Sequence, residues 1–344
     1  MEQSPLQPTP VGAFRFNTDS SKLEYYDGNQ WVNVTSDSPE SQTGGTRGIF
    51  MAGYYNANVD HINYVNFSTT GNALDFGSMT EVVRSNNSVA SRTRGVSFGG
   101  QAPGNGFTNV MAYVTIATTG DAIDFGDMPY VGWATGVSNG TRGIIGGAYY
   151  SSGGPIFNNR LDYFNIATTG QTLQDFGDLT VARLGRVGTV ASTTRGIWAG
   201  GDTPADTNII DYVTMSTLGN AADFGDLTYA RNNVGGCSNV VRGVFAGGYN
   251  NPGTSTNHNT IDMITIASLG NATDFGDLLT AVSGVNGAAS PTRAVWGGDI
   301  TYPANATNII QYVQIMSTGN ALDFGDQNDA MHGTVCSNGH GGLG

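Results

Sequence analysis

The chain has 344 residues, a formal net charge of -13, 12% charged residues and a single lysine, Lys22. That charge repels phosphate backbones and anionic lipid, whose binding begins with cations displacing counterions, so nucleic acid is not an expected partner. No apolar run approaches bilayer length, so no membrane span is expected, and the start MEQSPLQPTP has neither the basic end nor the apolar stretch of a secretory signal.

Residues 11–34, VGAFRFNTDSSKLEYYDGNQWVNV, break into three short alternating runs separated by Asn-Thr-Asp-Ser-Ser and Asp-Gly-Asn turns, the pattern of a small β-meander. Phe14, Phe16, Leu23, Tyr25, Tyr26 and Trp31 cover only a thin layer, and sheets this small need a partner surface. The meander, residues 1–34 with its leader, is therefore read as an attachment segment, with Phe14, Phe16, Tyr25, Tyr26 and Trp31 as its contact residues. The Gly12-x-Phe14-Arg15-Phe16-Asn17-Thr18-Asp19 run, followed by Leu23-Glu24-Tyr25-Tyr26-Asp27-Gly28 and Trp31, resembles a short module near the ends of bacteriophage tail-fibre and other virion-appendage proteins. Residues 35–45, TSDSPESQTGG, lack periodicity and read as a flexible linker.

From residue 46 onward one pattern recurs about every fifty residues, and a period of that size marks stacked supersecondary units. Its opening arginine falls at Arg47, Arg94, Arg142, Arg195, Arg242 and Arg293, and its Asp-Phe-Gly begins at Asp75, Asp124, Asp175, Asp223, Asp274 and Asp323. Each copy holds four strand signals. Strand B is Arg-Gly and an apolar run such as Val244-Phe245. Strand C alternates around Ile-Asp-Tyr, as at Ile210-Asp211-Tyr212, and strand D is the Asp-Phe-Gly-Asp segment. Gly-Asn or a variant joins C to D, glycine supplying the positive φ of a tight hairpin. Strand A is softer and comes from the stretch before each arginine, as at 187–192, 234–238 and 285–289.

This order, with diglycine closing strand B and Arg183 or Arg231 leading strand A, resembles the kelch repeat over about 290 residues. The tryptophan that family places near strand D is here Phe76, Phe125, Phe176, Phe224, Phe275 and Phe324. The first copy lacks a strand A, whereas the tail Ala330 to Asn338 parallels Ala230 to Asn239. The expected fold is all-β: a small β-meander, then a six-bladed kelch-like β-propeller over 46–344, closed when the C-terminal strand completes the first blade.

A residue repeated six times serves something that occurs six times, so the arginines and aspartates are assigned to the joints between blades, with an Arg to Asp pair as the expected bond. Cys237 and Cys336 share one phase of the repeat and are expected to be separate, buried thiols. His61, His258, His332 and His340 show no metal-ligand spacing, and no nucleophile-elbow or zincin motif occurs. Six Asp-Phe-Gly copies in a β repeat, without the other kinase motifs, are not a magnesium site. Paired acids for glycoside cleavage stay open, since their separation is a property of the fold. The chain is read as a binding protein without cofactor or metal, not as an enzyme.

What varies between copies is the loop from B to C, which in a propeller shares a face with the D to A loops. Function tends to sit on variable loops held by a rigid scaffold. Tyr54, Tyr55, Phe107, Tyr149, Tyr150, Tyr249, His258 and Tyr302 are the candidate ligand contacts, aromatics giving area and small polar neighbours giving hydrogen bonds. Together with the N-terminal resemblance, this implies a virion protein of a tail or fibre. It would be a homo-oligomer on the particle, bound to other virion proteins through its N-terminal segment and offering the propeller face to a host-surface receptor or glycan. A capsid or tail decoration protein that touches only virion proteins is the alternative, and a cellular kelch-like scaffold is a third reading.

Overall fold

The computed structural model describes residues 9–17, 22–33, 47–55, 57–147, 156–184, 187–250, 256–298, 300–301, 305–330 and 333–343. The stretch read as a linker lies outside them. The chain divides into two compact units, Met1–Gln42 and Thr43–Gly344.

The first unit is a three-stranded antiparallel meander of Phe14–Asn17, Lys22–Tyr26 and Trp31–Asn33. Its register puts Phe14 opposite Tyr25 and Phe16 opposite Leu23, so alternation gathers these four on one face. That face is open: Phe14 is 67% and Phe16 62% exposed. The expected attachment set is split by the pleat. Tyr26 and Trp31 pair on the opposite side, with ring centroids 5.5 Å apart, where the Arg15 guanidinium lies 4.3 Å from the Trp31 ring and bonds Glu24 at 2.8 Å. Trp31 is thus engaged within the meander.

The second unit is all-β and consistent with a propeller-like fold. Its main sheets are antiparallel, and each carries strands A to D of the repeat in spatial order. Sheet 1 combines Arg47–Tyr55, Ala57–Asn66 and Leu74–Val83 with the C-terminal Thr334–Ser337, where Val335 lies opposite Phe50 and Cys336 opposite Ile49. Sheet 2 is Asn87–Ala90, Arg94–Phe98, Val110–Thr115 and Ile123–Asp127. Sheet 3 is Thr135–Ser138, Arg142–Gly146, Asn158–Asn165 and Gln174–Arg183. Sheet 4 is Gly188–Ala191, Arg195–Ala199, Ile209–Thr214 and Ala222–Asp226. Sheet 5 is Gly235–Ser238, Arg242–Ala246, Thr256–Thr265 and Thr273–Val282, with Tyr249–Asn250 added beside its third strand. Sheet 6 is Asn286–Ala289, Arg293–Gly297, Ile309–Gln314 and Leu322–Asp326.

Strands B and C supply most of the buried apolar surface. Ile49, Ile144, Ile197, Val244, Trp198 and Trp296 are fully buried, as the apolar runs after each arginine require. Beneath five of the six arginines a ring stack follows. Arg47, Arg94, Arg142, Arg195 and Arg293 lie over Tyr64, Tyr113, Tyr163, Tyr212 and Tyr312 at 4.5 to 4.8 Å. Each of those tyrosines meets the Asp-Phe-Gly phenylalanine of its own sheet edge-on, with centroids 5.8 to 6.1 Å apart. Met263 takes the tyrosine's place in sheet 5.

Consecutive sheets are joined by the same two bonds each time. The arginine of strand B donates to a backbone carbonyl at the end of strand C in the next sheet: Arg47 to Ile116, Arg94 to Ala167, Arg142 to Met215, Arg195 to Ile266, Arg242 to Ile315 and Arg293 to Phe67, at 2.7 to 3.2 Å. The Asp-Phe-Gly carbonyls of Phe76, Phe125, Phe176, Phe224, Phe275 and Phe324 accept from Gly120, Gly170, Gly219, Gly270, Gly319 and Gly71, at 2.7 to 2.9 Å. In both series the last member runs from sheet 6 to sheet 1. The A strands also pack side by side in this order, the sixth against Thr334–Ser337.

These bonds correct the expected pairing of the strand B arginine with an aspartate of Asp-Phe-Gly-Asp. The arginine bonds a carbonyl, and the first aspartate of the motif is exposed in every copy. The motif's glycine has a tighter role. Gly225 has a φ of 146°, and a Cβ there would collide with the Gly270 carbonyl oxygen of the next sheet, so no other residue fits without displacing the joint. Arg to Asp pairs do join sheets, but elsewhere: Arg183 with Asp211 and Arg231 with Asp262, each fully buried and each using the aspartate of strand C. Burial pushes the Asp211 carboxyl up, offset in part by the Arg183 charge.

The sheets are not all alike. Strand D has ten residues in sheets 1, 3 and 5 and five in sheets 2, 4 and 6. The inner strands alternate in step, ending in Ser138, Ser238 and Ser337 against Ala90, Ala191 and Ala289, and each serine hydroxyl donates to the facing alanine carbonyl. The A to B turn alternates too. Asn239 Oδ1 accepts from the Arg242 amide in one class and Ser192 Oγ from the Arg195 amide in the other, at 2.8 and 3.1 Å. Cys237 and Cys336 are free and buried, and burial raises both thiols, Cys336 to about 12.

Candidate binding site

Strand A begins in every sheet after a connection from strand D that differs from copy to copy. The starts of these strands in sheets 2 to 6 line a cavity of about 540 Å³, within the usual range for small-ligand pockets of about 300 to 1,000 Å³. Its walls include Tyr54, Arg84, Trp133, Asn87, Asn233 and Asn286. Among the described residues lining it, none is acidic, although the chain as a whole is strongly so.

Local structure holds the polar and aromatic groups of one wall in place. The loop after strand B of sheet 2 runs back to the end of sheet 1, where Gln101 and Arg84 exchange backbone bonds of 3.0 and 2.8 Å. The Arg84 Nε then donates to Gln101 Oε1 at 3.0 Å, and the guanidinium lies 5.0 Å from the Tyr54 ring. Trp133 is braced from behind by Phe107, edge-on with centroids 5.2 Å apart. Asn86, buried beside them, donates to Met51 O and Ser97 Oγ. The wall thus carries a preset cation on the Tyr54 ring and a second aromatic, Trp133, held by Phe107.

The other ends of the inner strands are blocked. After Ser337 the chain turns across them, and His340 Nε2 lies 2.9 Å from Ala90 O while its Nδ1 accepts from the Gly342 amide at 3.2 Å. That pattern requires the neutral imidazole with its proton on Nε2. Burial accordingly lowers the His340 pKa to about 4. Arg92 anchors the end through Leu343 O at 2.7 Å. Gly341 and Gly342 are packed so closely on Ala191, Asn239 and Ser138 carbonyls that a Cβ would collide. Between this plug and the open cavity, the A strands enclose a further space of about 90 Å³.

The expected contact residues divide accordingly. Tyr54 lies on the wall of the cavity, and Phe107 stands behind Trp133. Tyr249 pairs its backbone with Asn232 and Asn257 instead, and His258 stacks on Tyr229 with centroids 5.7 Å apart. Burial and the Arg231 charge lower the His258 pKa. Neither residue is among the described lining of the cavity, where Tyr54 is the one expected contact residue present. Tyr55 ends a strand of sheet 1, while Tyr149, Tyr150 and Tyr302 lie outside the described residues. Arg84, Trp133 and the asparagines were missed because the D to A connections were passed over in favour of the longer loops. Their signal was available: Trp133 and Arg84 are large side chains just before strand A, at positions where the copies disagree.

No protein-family model matches the chain, and curated proteins give no match. Among the described residues no helix is long and apolar enough to cross a membrane, and no cluster of His, Cys, Asp or Glu is placed to hold a metal ion.

Proposed function

We propose that the protein is a bacteriophage virion component of the tail-fibre kind, in which a six-bladed, kelch-like propeller presents one open face to the host surface. The cyclic reading is supported by the two joint bonds, which recur between every neighbouring pair of sheets and again from the sixth to the first. The observation that carries the function is the cavity of about 540 Å³ at one end of the inner strands, whose lining includes Arg84 and Trp133, each without an equivalent among the other described lining residues, opposite an end plugged by residues 338–343. A symmetric scaffold has no need of it. The open face of the meander, with Phe14, Phe16, Leu23 and Tyr25, is the attachment surface for other virion proteins. Several copies per particle raise a weak single-site affinity by roughly 10² to 10⁴.

Labelling intact particles with an antibody to the second unit tests this reading. Signal at fibre tips is the expected result. A regular coat over the shell supports the decoration alternative, and absence from particles overturns the virion assignment.

A further inference from the structure

We infer that the open cavity takes a carboxylate-bearing sugar, a uronic or sialic acid residue, with Arg84 as the group that reads the carboxylate. The inference rests on the cavity being the recognition site proposed above and specifies the chemistry it recognises.

Arg84 is the one cation among the described residues of the wall, and none of those residues supplies a carboxylate to it. Its Nε is taken by Gln101 and its face by Tyr54, which together fix the plane of the group. Among the described residues no hydrogen bond is made by either terminal nitrogen. A guanidinium held by one edge offers its remaining pair of N–H groups side by side, the geometry that matches the two oxygens of a carboxylate.

The rest of the wall specifies the body of the ligand. Tyr54 and Trp133 offer aromatic rings against which the C–H face of a pyranose can pack. Asn233 carries an amide donor and acceptor suited to hydroxyls, while Asn286 Nδ2 is taken by Gly284 O and Gly333 O and Asn87 Oδ1 by the Ser88 amide, so these two would contribute the Asn286 oxygen and the Asn87 amide nitrogen. Among the described lining residues there are not the several cations that a sulfate- or phosphate-rich polymer would need, and the overall charge of -13 opposes such a ligand. One carboxylate on a hydroxyl-rich ring is what a single preset arginine can offset.

The test uses the full chain with glucuronic acid and N-acetylneuraminic acid oligosaccharides, each compared with its methyl ester, which keeps the ring and removes the charge. Binding is followed by tryptophan fluorescence, with Trp133→Phe identifying the reporter. The acid is expected to bind at least about tenfold more tightly than its ester, and Arg84→Gln to abolish that difference, with a modest fall in melting temperature from the lost Gln101 and Tyr54 contacts. Equal binding of acid and ester, untouched by Arg84→Gln, overturns the carboxylate assignment while leaving a sugar site. If no sugar binds and Trp133→Ala leaves host adsorption intact, the recognition reading beneath it falls as well.

Discussion

The joints between sheets and the walls of the open cavity are built from the same repeat in opposite ways. At the joints each copy supplies the same side chain to the same partner, because six equivalent contacts impose one requirement six times. At the cavity five of the connections from strand D to strand A contribute described residues, Arg84 and Trp133 once each and asparagine, serine, glycine, alanine, threonine or valine elsewhere. Repetition therefore marks the joints between sheets, and departure from it marks the wall that we propose as the recognition site. Substitutions at the first class should cost stability, and those at the second should cost mainly binding.

The largest effect expected is at the buried pair of Arg183 and Asp211, where sheet 3 meets sheet 4. Asp211→Ala leaves a guanidinium with no exposed surface uncompensated, and breaking a buried pair in this way costs about 3 to 5 kcal/mol. Urea unfolding should show that loss in the midpoint. A change below about 1 kcal/mol would mean that the Gly200 carbonyl, 2.7 Å from the Arg183 Nη1, already suffices.

Next is the plug. His340 is held neutral with a pKa of about 4, whereas in the unfolded chain it titrates near 6.5. Above that value both states are neutral and the full stability is present. As pH falls from about 6.5 to about 4 the unfolded state binds the proton first, so stability declines by up to about 1.4 kcal/mol per pH unit, about 3 kcal/mol in all. Gln in place of His340 can keep the bond to Ala90 without titrating. The difference in stability between wild type and His340→Gln should therefore shrink or reverse as the solution is acidified through that window, and a constant difference would place the plug's strength elsewhere.

Much of this was legible in the sequence. The six arginines and six Asp-Phe-Gly motifs gave the number of units, and the tail's likeness to 230–239 gave the pairing of Thr334–Ser337 with the first copy. The alternation of sheets was also written there, in Val137-Ser138-Asn139, Cys237-Ser238-Asn239 and Cys336-Ser337-Asn338 against Val89-Ala90-Ser91 and its equivalents. It escaped notice because alignment of all copies to one consensus averages two classes into one. What could not be read was partner choice. A donor such as Arg195 reaches whatever acceptor the packing brings near, and a backbone carbonyl leaves no trace in the sequence.

Smaller effects sharpen the comparison among the joints themselves. Arg195→Gln removes both the bond to Ile266 O and the contact with the Tyr212 ring, while Arg242→Gln removes only a longer bond to Ile315 O above Met263. A hydrogen bond of this kind contributes about 1 kcal/mol and an exposed cation and ring about 0.5 to 1. Arg195→Gln should thus be the costlier by about 0.5 to 1 kcal/mol in thermal unfolding, and equal losses would show that the rings contribute nothing.

The smallest expected effect tests the rule at its edge, because the first aspartate of Asp-Phe-Gly recurs six times and is exposed in each. In sheet 2 its Asp124 Oδ1 accepts the Gly126 amide at 3.2 Å, within its own strand and not across a joint. An asparagine retains that acceptor, so Asp124→Asn should stay within about 0.5 kcal/mol of wild type, as exposed substitutions do, and Asp274→Asn, equally exposed, should do the same. A loss above about 1 kcal/mol would show that the charge itself acts between sheets. Repetition at this position then reflects the local turn that presents the phenylalanine carbonyl to the next sheet, a requirement imposed as often as the joint it serves.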